Sequence, residues 1–358
     1  MKKILMIPAK HSGDYHLELL GHSLNNEGYN IIFPKKEYFY FSMIRNCIKV
    51  QSKIIHIHWI GHYSGFGEKN YRLRILKLLI FVIDIFFLKI SRKRIVWTIH
   101  NLYSHNSYNA FIEKIFRKFI SRKVDSIICH CNQAKIKILN EFKVKDKKIT
   151  VIPQGSYIKC YKNIKSKAES RELLNLNINE FIFLFFGRIK PYKGLISLIK
   201  NFRNLKINKN VNLLIVGEPK DLKLKKQIQY LVKNSKNIIV KFEYIPDDEI
   251  QIYMNAADII VLPYKQILNS GEILVAMGFA KPIIAPKIGC IIDLIDEKGS
   301  FLYNPLENNS LTKALEKAIK SKDKLEEMGV YNFSLINNLK WSEIGKNHRK
   351  IYDRLLSD

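Results

Sequence analysis

Two cations follow a strongly apolar segment in the second half of the chain. Phe181–Phe186 (FIFLFF) is followed by Gly187, and Arg188 and Lys193 then lie five positions apart before Gly194. The spacing predicts a buried strand, a short loop and a helix start, where glycine allows close backbone approach and unpaired N–H groups attract anions. The arginine fork and the lysine point charge both suit a diphosphate. An ordinary strand–turn–helix with solvated cations explains the pattern equally well.

A second predicted helix start has the same character. Ser270 is a good N-cap, and Gly271 leaves the first turn open to a ligand. A phosphate would meet the N–H groups of Gly271, Glu272 and Ile273. A capped structural helix is the alternative. Two anion-competent helix starts in one domain favour a nucleotide diphosphate.

The histidines of the first half raise the question of a metal. His56 and His58 alternate along a predicted strand, and His62 follows them. No cysteine or carboxylate lies at ligand spacing to complete a site, so we expect no metal there. His100 ends another apolar segment, and strand-end residues are often functional.

The elements that position these residues follow from the hydrophobic pattern. Short apolar runs alternate with amphipathic helical segments, which predicts parallel sheets covered by helices. We expect two doubly wound α/β domains, residues 1–158 and 171–340, joined by a Lys-, Asn- and Ser-rich linker at 159–170. Open parallel sheets bind ligands at the carboxyl ends of their strands. Two such edges facing a cleft would enclose a pair of substrates.

Four motifs of the second half carry a family resemblance. GRIKPYKG, IVGEP, AADIIVLPY and AMGFAKPIIAP occur in the order and spacing of GT-B glycosyltransferases of family 4. In the first half, IIHIHW and VWTIHNLYSH are similar to bacterial surface-polysaccharide glycosyltransferases. The resemblance implies the GT-B fold, with two Rossmann-like domains facing a central cleft. It also implies a metal-independent hexosyltransferase that needs no cofactor besides its donor, a UDP- or GDP-sugar. A terminal helix, 341–358, would cross back to the N-terminal domain, which binds the acceptor.

The resemblance also implies roles for individual residues. Arg188 and Lys193 would bind the donor diphosphate together with the helix start at Ser270, Gly271 and Glu272. His100 would lie beside the reacting sugar and hydrogen-bond the donor or the acceptor. The other candidates are Asp14 as the acceptor base, Gly13 and His105 on the acceptor side, and Gly187, Glu218, Tyr244 and Tyr264 around the nucleotide. Ordinary turn chemistry explains Glu218, Tyr244 and Tyr264 as well.

One departure from the family pattern concerns two glutamates. The family usually places them, with seven residues between them, where this chain has Ile267 and Val275. The first contacts the donor sugar and the second contacts the nucleotide ribose. Glu272 is the only acid nearby, so the stereochemical course stays open. A non-catalytic GT-B-like subunit that binds glycan or a partner enzyme is the alternative function.

The net charge points to a polyanionic partner. The chain carries +28 at pH 7, with +17 of it in the first 155 residues. A bias toward lysine is the plain alternative. A nucleic-acid-binding protein is a further alternative, but helix–turn–helix, zinc and RNP signatures are missing, so we expect no nucleic-acid partner. The apolar segment Tyr71–Arg94, flanked by cations, and the basic helix Phe111–Lys123 favour an anionic membrane surface.

These features predict a location and an acceptor. The longest apolar stretch, Leu78–Leu88, has eleven residues and contains Asp84, whereas a membrane span needs roughly 20. The N-terminus turns polar too early for a secretory signal. We therefore expect a cytoplasmic protein, peripheral on the inner face of the cell membrane, with a lipid-linked oligosaccharide as acceptor. The oligomeric state is not predicted.

Overall fold

The computed structural model describes residues 2–9, 15–35, 40–104, 109–206 and 210–357, without the side chain of His62. The chain forms two compact units. The first unit comprises Met1–Gly155 and Leu339–Asp358, and the second comprises Ser156–Asn338.

The first unit is built on a six-stranded parallel sheet. Its strands are β1 (Lys2–Ile7), β2 (Tyr29–Ile32), β3 (Ile54–Ile57), β4 (Arg94–Thr98), β5 (Ser126–Cys129) and β6 (Ile149–Val151). The spatial order is β2-β1-β3-β4-β5-β6. The central strands are buried along their length, as expected for a parallel sheet covered on both faces.

Helices connect these strands. They are α1 (Tyr15–Asn26), α2 (Ser42–Val50), α3 (Gly61–Ser64), α4 (Tyr71–Ile90), α5 (Ala110–Lys123) and α6 (Asn132–Phe142). The terminal helix α15 (Trp341–Ser357) belongs to the same unit and packs on α1. Its apolar side chains Ile344, Ile351, Tyr352 and Leu355 share a core with Leu17, Leu20 and Leu24.

The second unit contains the other parallel sheet. Its strands are β7 (Phe181–Phe186), β8 (Val211–Val216), β9 (Ile238–Lys241), β10 (Ile259–Val261), β11 (Ile283–Pro286) and β12 (Ser300–Tyr303), in the order β12-β11-β10-β7-β8-β9. Its helices are α7 (Lys167–Leu173), α8 (Leu195–Arg203), α9 (Leu222–Val232), α10 (Ile250–Ala256), α11 (Gly271–Gly278), α12 (Ile291–Leu294), α13 (Ser310–Lys320) and α14 (Leu325–Asn337).

The predicted GT-B fold is confirmed, since each unit is a doubly wound parallel α/β domain. The predicted linker at 159–170 is wrong in its second half, because α7 begins at Lys167. Ser166 and Glu169 form a capping box there, in which each side chain accepts from the other's backbone N–H. The pattern also missed β12, α13 and α14, whereas the predicted terminal helix is α15. No described helix is long and apolar enough to cross a membrane.

Candidate functional site

Four neighbouring strand ends bring the predicted donor residues to one edge of the second sheet. The strand order β10-β7-β8-β9 places side by side the loops that follow these strands. Tyr264 follows β10, Arg188 follows β7, Glu218 follows β8 and Tyr244 follows β9. Because the strands are parallel, all four loops leave the sheet at its carboxyl edge. This edge is where open α/β sheets bind ligands.

Glycines let two of these loops approach each other closely. Gly187 has φ +106° and Gly217 has φ +149°, and a Cβ on Gly217 would lie 2.0 Å from the carbonyl oxygen of Gly187. The two loops also pair, with the N–H of Ile189 donating to the carbonyl of Glu218 at 3.1 Å. A Cβ on Gly187 would lie 3.1 Å from Lys193 Nζ. Both positions therefore require glycine for the loops and the lysine to meet.

Lys193 is held inside the second unit by a carboxylate. The short helix Pro191–Lys193 turns its side chain inward, where it is only 3% exposed and forms an ion pair with Glu272. Burial by itself raises the pKa of Glu272, but the Lys193 charge and its hydrogen bond outweigh this and lower the pKa to about 2. Glu272 is therefore ionised at neutral pH, and the ammonium of Lys193 is paired.

Other cations around this pair have no such partner. Arg188 is exposed and forms no ion pair with a residue that the structure describes. Burial lowers the pKa of Lys190, and the charges of Arg188, Lys193 and Lys220 lower it further. Four cations thus lie around the Glu272 carboxylate at this edge, and Glu218 is the acid of the adjacent loop. The site has net positive charge and suits an anionic ligand.

The helix start at α11 lies next to Glu272. Ser270 caps the helix, its Oγ accepting from the N–H of Ile273 at 3.4 Å. The buried Tyr264 hydroxyl lies 2.7 Å from Ser270 Oγ and donates to Glu272 Oε2 at 3.1 Å. A Cβ on Gly271 would meet no atom within 4 Å, so the first turn is open. The structure thus brings together Ser270, Gly271, Glu272 and Lys193.

The predicted nucleotide-pocket residues occupy different environments. Tyr264 is buried and contacts the α11 start, whereas Glu218 is exposed and Tyr244 is 68% exposed. Of the two positions where the resemblance implies glutamates, Ile267 is buried and Val275 lies in α11. Glu272 is directed to Lys193 and Tyr264. The carboxylate paired with Lys193 is therefore that of Glu272, in the first turn of α11.

The first unit contains a buried histidine cluster at the carboxyl ends of its central strands. The histidine cluster comprises His16, His56, His58, His100, His130 and His348, each less than a tenth exposed. Trp59 stacks on His100 with ring centroids 4.5 Å apart. Trp341 contacts His16 edge-on at 5.5 Å. The helices α1 and α15 and the strands β3, β4 and β5 all contribute to this cluster.

Hydrogen bonds fix the orientation of the histidine predicted to be catalytic. His130 Nδ1 lies 3.0 Å from the carbonyl oxygen of Ile152, so it carries the proton. His130 Nε2 then accepts from His100 Nδ1 at 3.2 Å, and His100 Nε2 accepts from His58 Nδ1 at 3.1 Å. Both ring nitrogens of His100 therefore face other histidines. The carbonyl of Ile152 therefore sets the tautomer of His100 through the intervening ring of His130.

All six rings of the histidine cluster are neutral near pH 7. Burial is the largest cause in every case, and it lowers the pKa of His130 and of His348 to about 4. The pKa values of His16, His56, His58 and His100 are lowered well below the usual range, with neighbouring histidines adding to the effect. Their unprotonated nitrogens keep their lone pairs.

Three predicted residues of the first unit, Gly13, Asp14 and His105, lie outside the described residues. The sequence analysis did not connect His130 with His100. It also did not assign His16 or His348 to any site. The sequence did contain a signal for this cluster. A histidine follows the end of each of the strands β3, β4 and β5 within two residues, and neighbouring parallel strands end at the same edge of the sheet.

The two doubly wound units and the relatives described next identify the chain as a glycosyltransferase with the GT-B fold, similar to family 4. Residues 166–334 match the family described as Glycosyl transferases group 1, and residues 28–156 match Glycosyltransferase Family 4. The predicted enzyme class is confirmed. The alternative of a nucleic-acid-binding protein gains no support.

One curated relative and two solved structures illustrate the similarity. A GDP-mannose:glycolipid 4-beta-D-mannosyltransferase from Xanthomonas campestris is 24% identical over 74% of this chain and 70% of that protein. The sucrose-phosphate synthase structure from Thermosynechococcus elongatus has a TM-score of 0.77 and 17% identity, covering 100% of both chains. Anabaena HepE in complex with UDP-glucose has a TM-score of 0.76 and 14% identity, covering 99% of this chain and 100% of its own.

Proposed function

We propose that this glycosyltransferase moves a hexose from a UDP- or GDP-sugar to a lipid-linked acceptor at an anionic membrane surface. The proposal has two halves, a donor half (the nucleotide sugar) and a membrane half (the lipid-linked acceptor at a membrane surface). The main observation in support of the donor half is the cationic edge of the second sheet. There Arg188, Lys190, Lys193 and Lys220 lie around the Glu272 carboxylate beside an open helix start. Such an arrangement stabilises negative charge as it develops on a departing diphosphate.

The relatives support the same class of donor. The Xanthomonas relative is named for GDP-mannose, and the Anabaena structure contains UDP-glucose. In the proposed complex, Arg188 grips one phosphate and the N–H groups of Gly271 and Glu272 meet the other. Lys193 reaches the diphosphate by exchanging its partner, Glu272. The donor site needs no metal in this scheme, because the cations and the helix start supply the positive charge.

An apolar stripe on the first unit supports the membrane half. Along α4, the side chains Leu76, Leu79, Ile83, Phe86 and Ile90 recur every three or four residues and are 39–62% exposed. The opposite face is buried, and the Asp84 carboxylate there accepts from the N–H groups of Met43 and Ile44. The stripe is thus the outer face of a firmly packed helix. An exposed continuous apolar face of this kind marks an interaction surface.

Cations flank the stripe, which favours a membrane as its partner. Arg72 begins the same helix face, and Arg92 and Lys93 follow the helix. None of the three forms an ion pair with a described residue. By contrast, Lys77 and Lys89 are paired with Glu68 and Asp125. Each unpaired cation near an anionic leaflet contributes about 1 kcal/mol to binding. The name of the Xanthomonas relative, which includes a glycolipid, agrees with an acceptor at a membrane.

Calorimetric titration with UDP, GDP and a panel of their sugars tests the donor half. We expect one nucleotide to bind, and Arg188→Ala to weaken it at least tenfold, since a charge-assisted hydrogen bond contributes about 1.5–3 kcal/mol. Lys233→Ala, an exposed cation at the end of α9, is the matched control and leaves binding unchanged. The donor proposal is overturned if neither nucleotide binds, or if Arg188→Ala binds as the wild type does.

Vesicle sedimentation tests the membrane half separately. We expect binding to phosphatidylglycerol-containing vesicles and little binding to pure phosphatidylcholine. Leu79→Glu with Phe86→Glu should abolish sedimentation while leaving nucleotide binding intact. Leu222→Glu, which changes an equally exposed apolar residue of the second unit, should sediment normally. Equal sedimentation of the double variant and the wild type would refute this half alone.

A further inference from the structure

We infer that His16, His100 and His130 form a binding site for a transition-metal ion of the zinc class. One ring nitrogen of each residue lies within 4.8 Å of the other two. The nitrogens His100 Nδ1 and His130 Nε2 are 3.2 Å apart. Two imidazoles bound to one tetrahedral Zn²⁺ at about 2.0–2.1 Å place their nitrogens about 3.3 Å apart. The pair therefore already has the spacing of two zinc ligands.

His16 is the observation that singles out this site. Its ring is 7% exposed, yet neither of its nitrogens has a hydrogen-bond partner among the described residues. A buried imidazole without partners is costly, and most buried polar groups are satisfied. The ring lies edge-on to both His100 and His130, with centroids 5.0 and 5.7 Å apart. A metal held by the other two rings would give one His16 nitrogen its missing partner.

The groups that hydrogen-bond to these histidines suit metal binding. The carbonyl of Ile152 holds the proton of His130 on Nδ1, which leaves the lone pair of Nε2 directed at His100. When a metal takes the lone pair of His100 Nδ1, the proton there moves to His100 Nε2, and the proton of His58 moves from Nδ1 to Nε2, which has no hydrogen-bond partner among the described residues. The N–H of His100 Nε2 then donates to His58 Nδ1 across the existing 3.1 Å contact. Each of these two ligands thus has its other nitrogen hydrogen-bonded, as metal-bound histidines usually do.

The donor set decides the class of ion. Three neutral imidazoles favour Zn²⁺, Co²⁺, Ni²⁺ or Cu²⁺, whereas Mg²⁺ and Ca²⁺ require oxygen ligands. Three protein ligands leave a fourth position for water or another ligand. This proposal departs from the expectation drawn from the sequence, because its ligands lie on three separate elements. One ligand is His100, which the resemblance places beside the reacting sugar, whereas the proposed diphosphate site lies in the second unit.

Titration of the full chain, prepared without a histidine tag and freed of metal with EDTA, tests the site. The probe is Co²⁺, followed by its ligand-field absorption between about 500 and 650 nm, with Zn²⁺ as competitor. We expect one tightly bound equivalent with a tetrahedral spectrum, and Zn²⁺ should raise the Tm. His16→Leu should weaken binding at least tenfold. This change removes no described hydrogen bond and refills the apolar volume, so the variant should fold.

A second pair of variants separates the site from surface binding. His130→Asn should also abolish the tetrahedral spectrum, and circular dichroism checks that it folds. His22→Gln removes an exposed histidine on α1 and should bind like the wild type. The proposal is overturned if no stoichiometric binding occurs. It is also overturned if His16→Leu binds as tightly as the wild type, or if His22→Gln loses the ion.

Discussion

Replacing Glu272 by glutamine removes the counter-charge of a buried lysine at the donor edge. Lys193 is 3% exposed, and its ammonium is paired with this carboxylate. Glutamine keeps the size and a carbonyl oxygen but leaves the lysine charge without an ionic partner. We expect two opposite results, a less stable second unit and tighter binding of a diphosphate, because Glu272 and the ligand compete for the same ammonium.

The pKa of Glu272 sets the size of the stability loss. Its fall from the ordinary 4.5 to about 2 corresponds to about 3 kcal/mol, at about 1.4 kcal/mol per tenfold change in proton affinity. The side chain is 30% exposed, so solvent screening reduces this to about 2 kcal/mol or somewhat more. For a unit of this size, the Tm should fall by roughly 4–10 °C.

The pH dependence follows from the direction of the shift. A carboxyl whose folded pKa is depressed stabilises the folded state fully above its unfolded pKa of about 4.5. This contribution disappears as the pH falls toward 2. The wild type and Glu272→Gln should therefore differ most near pH 7 and converge in acid.

Differential scanning calorimetry and titration with UDP and GDP measure both effects. We expect the nucleotide that binds the wild type to bind the variant about tenfold more tightly, as gaining one charge-assisted bond contributes about 1.5 kcal/mol. Glu297→Gln, which breaks the exposed ion pair with Lys287, is the control and should leave the Tm unchanged. A Tm within 1 °C of the wild type would refute the stability argument. Weaker nucleotide binding would refute the competition.

Three further predictions concern stability. Metal-free protein should lose the fold of its first unit as the pH falls from 6.5 to about 5. Burial lowers the pKa of each histidine of the cluster, so below the ordinary histidine pKa of about 6.5 the unfolded chain binds more protons than the folded one. All three tryptophans lie in this unit and report its unfolding by fluorescence, and an unchanged spectrum at pH 4.5 would contradict the histidine burial. Gly194→Ala should lower the free energy of unfolding in denaturant by more than about 3 kcal/mol, since Gly194 has φ +74° and a Cβ there would lie 1.9 Å from a carbonyl oxygen. Gly271→Ala, where a Cβ would meet open space, should lower it much less. Equal losses of unfolding free energy in the two variants would contradict this geometry. Asp84→Ala should destabilise the first unit by about 1–2 kcal/mol, because it removes the acceptor for two N–H groups at the start of α2. A urea midpoint equal to that of the wild type would show that these two hydrogen bonds are dispensable for stability.

Local pattern was sufficient for most of the architecture. The apolar run Phe181–Phe186 is β7, and the helix predicted after Gly194 is α8, which buries Leu195, Leu198, Ile199 and Phe202 as its spacing indicated. These predictions succeed because the periodicities of 2.0 and 3.6 residues reflect which face of an element meets the core. Two of the elements that were missed, β12 and α7, are short and carry little periodic signal. The missed helix α13 does carry it, since Leu311, Ala314, Leu315 and Ala318 recur at helical spacing and are buried.

The partners of the candidate site residues could not be predicted in the same way. Lys193 and Glu272 are 79 positions apart, and they meet because β10 lies beside β7. His16, His100 and His130 come from one helix and two strand ends. Strand order is decided by how the whole chain closes its sheet, and a local pattern contains no record of it.

The sequence by itself determined the fold class and the glycine- and cation-bearing loop after β7, because both depend on neighbours within a few residues. It also determined the apolar content of α4. Only the tertiary structure decided that the lysine of this loop is neutralised by a carboxylate and that six histidines share one buried cluster. It also decided that the apolar stripe of α4 faces outward. These are contacts between distant segments, and their energies arise only when the sheets assemble.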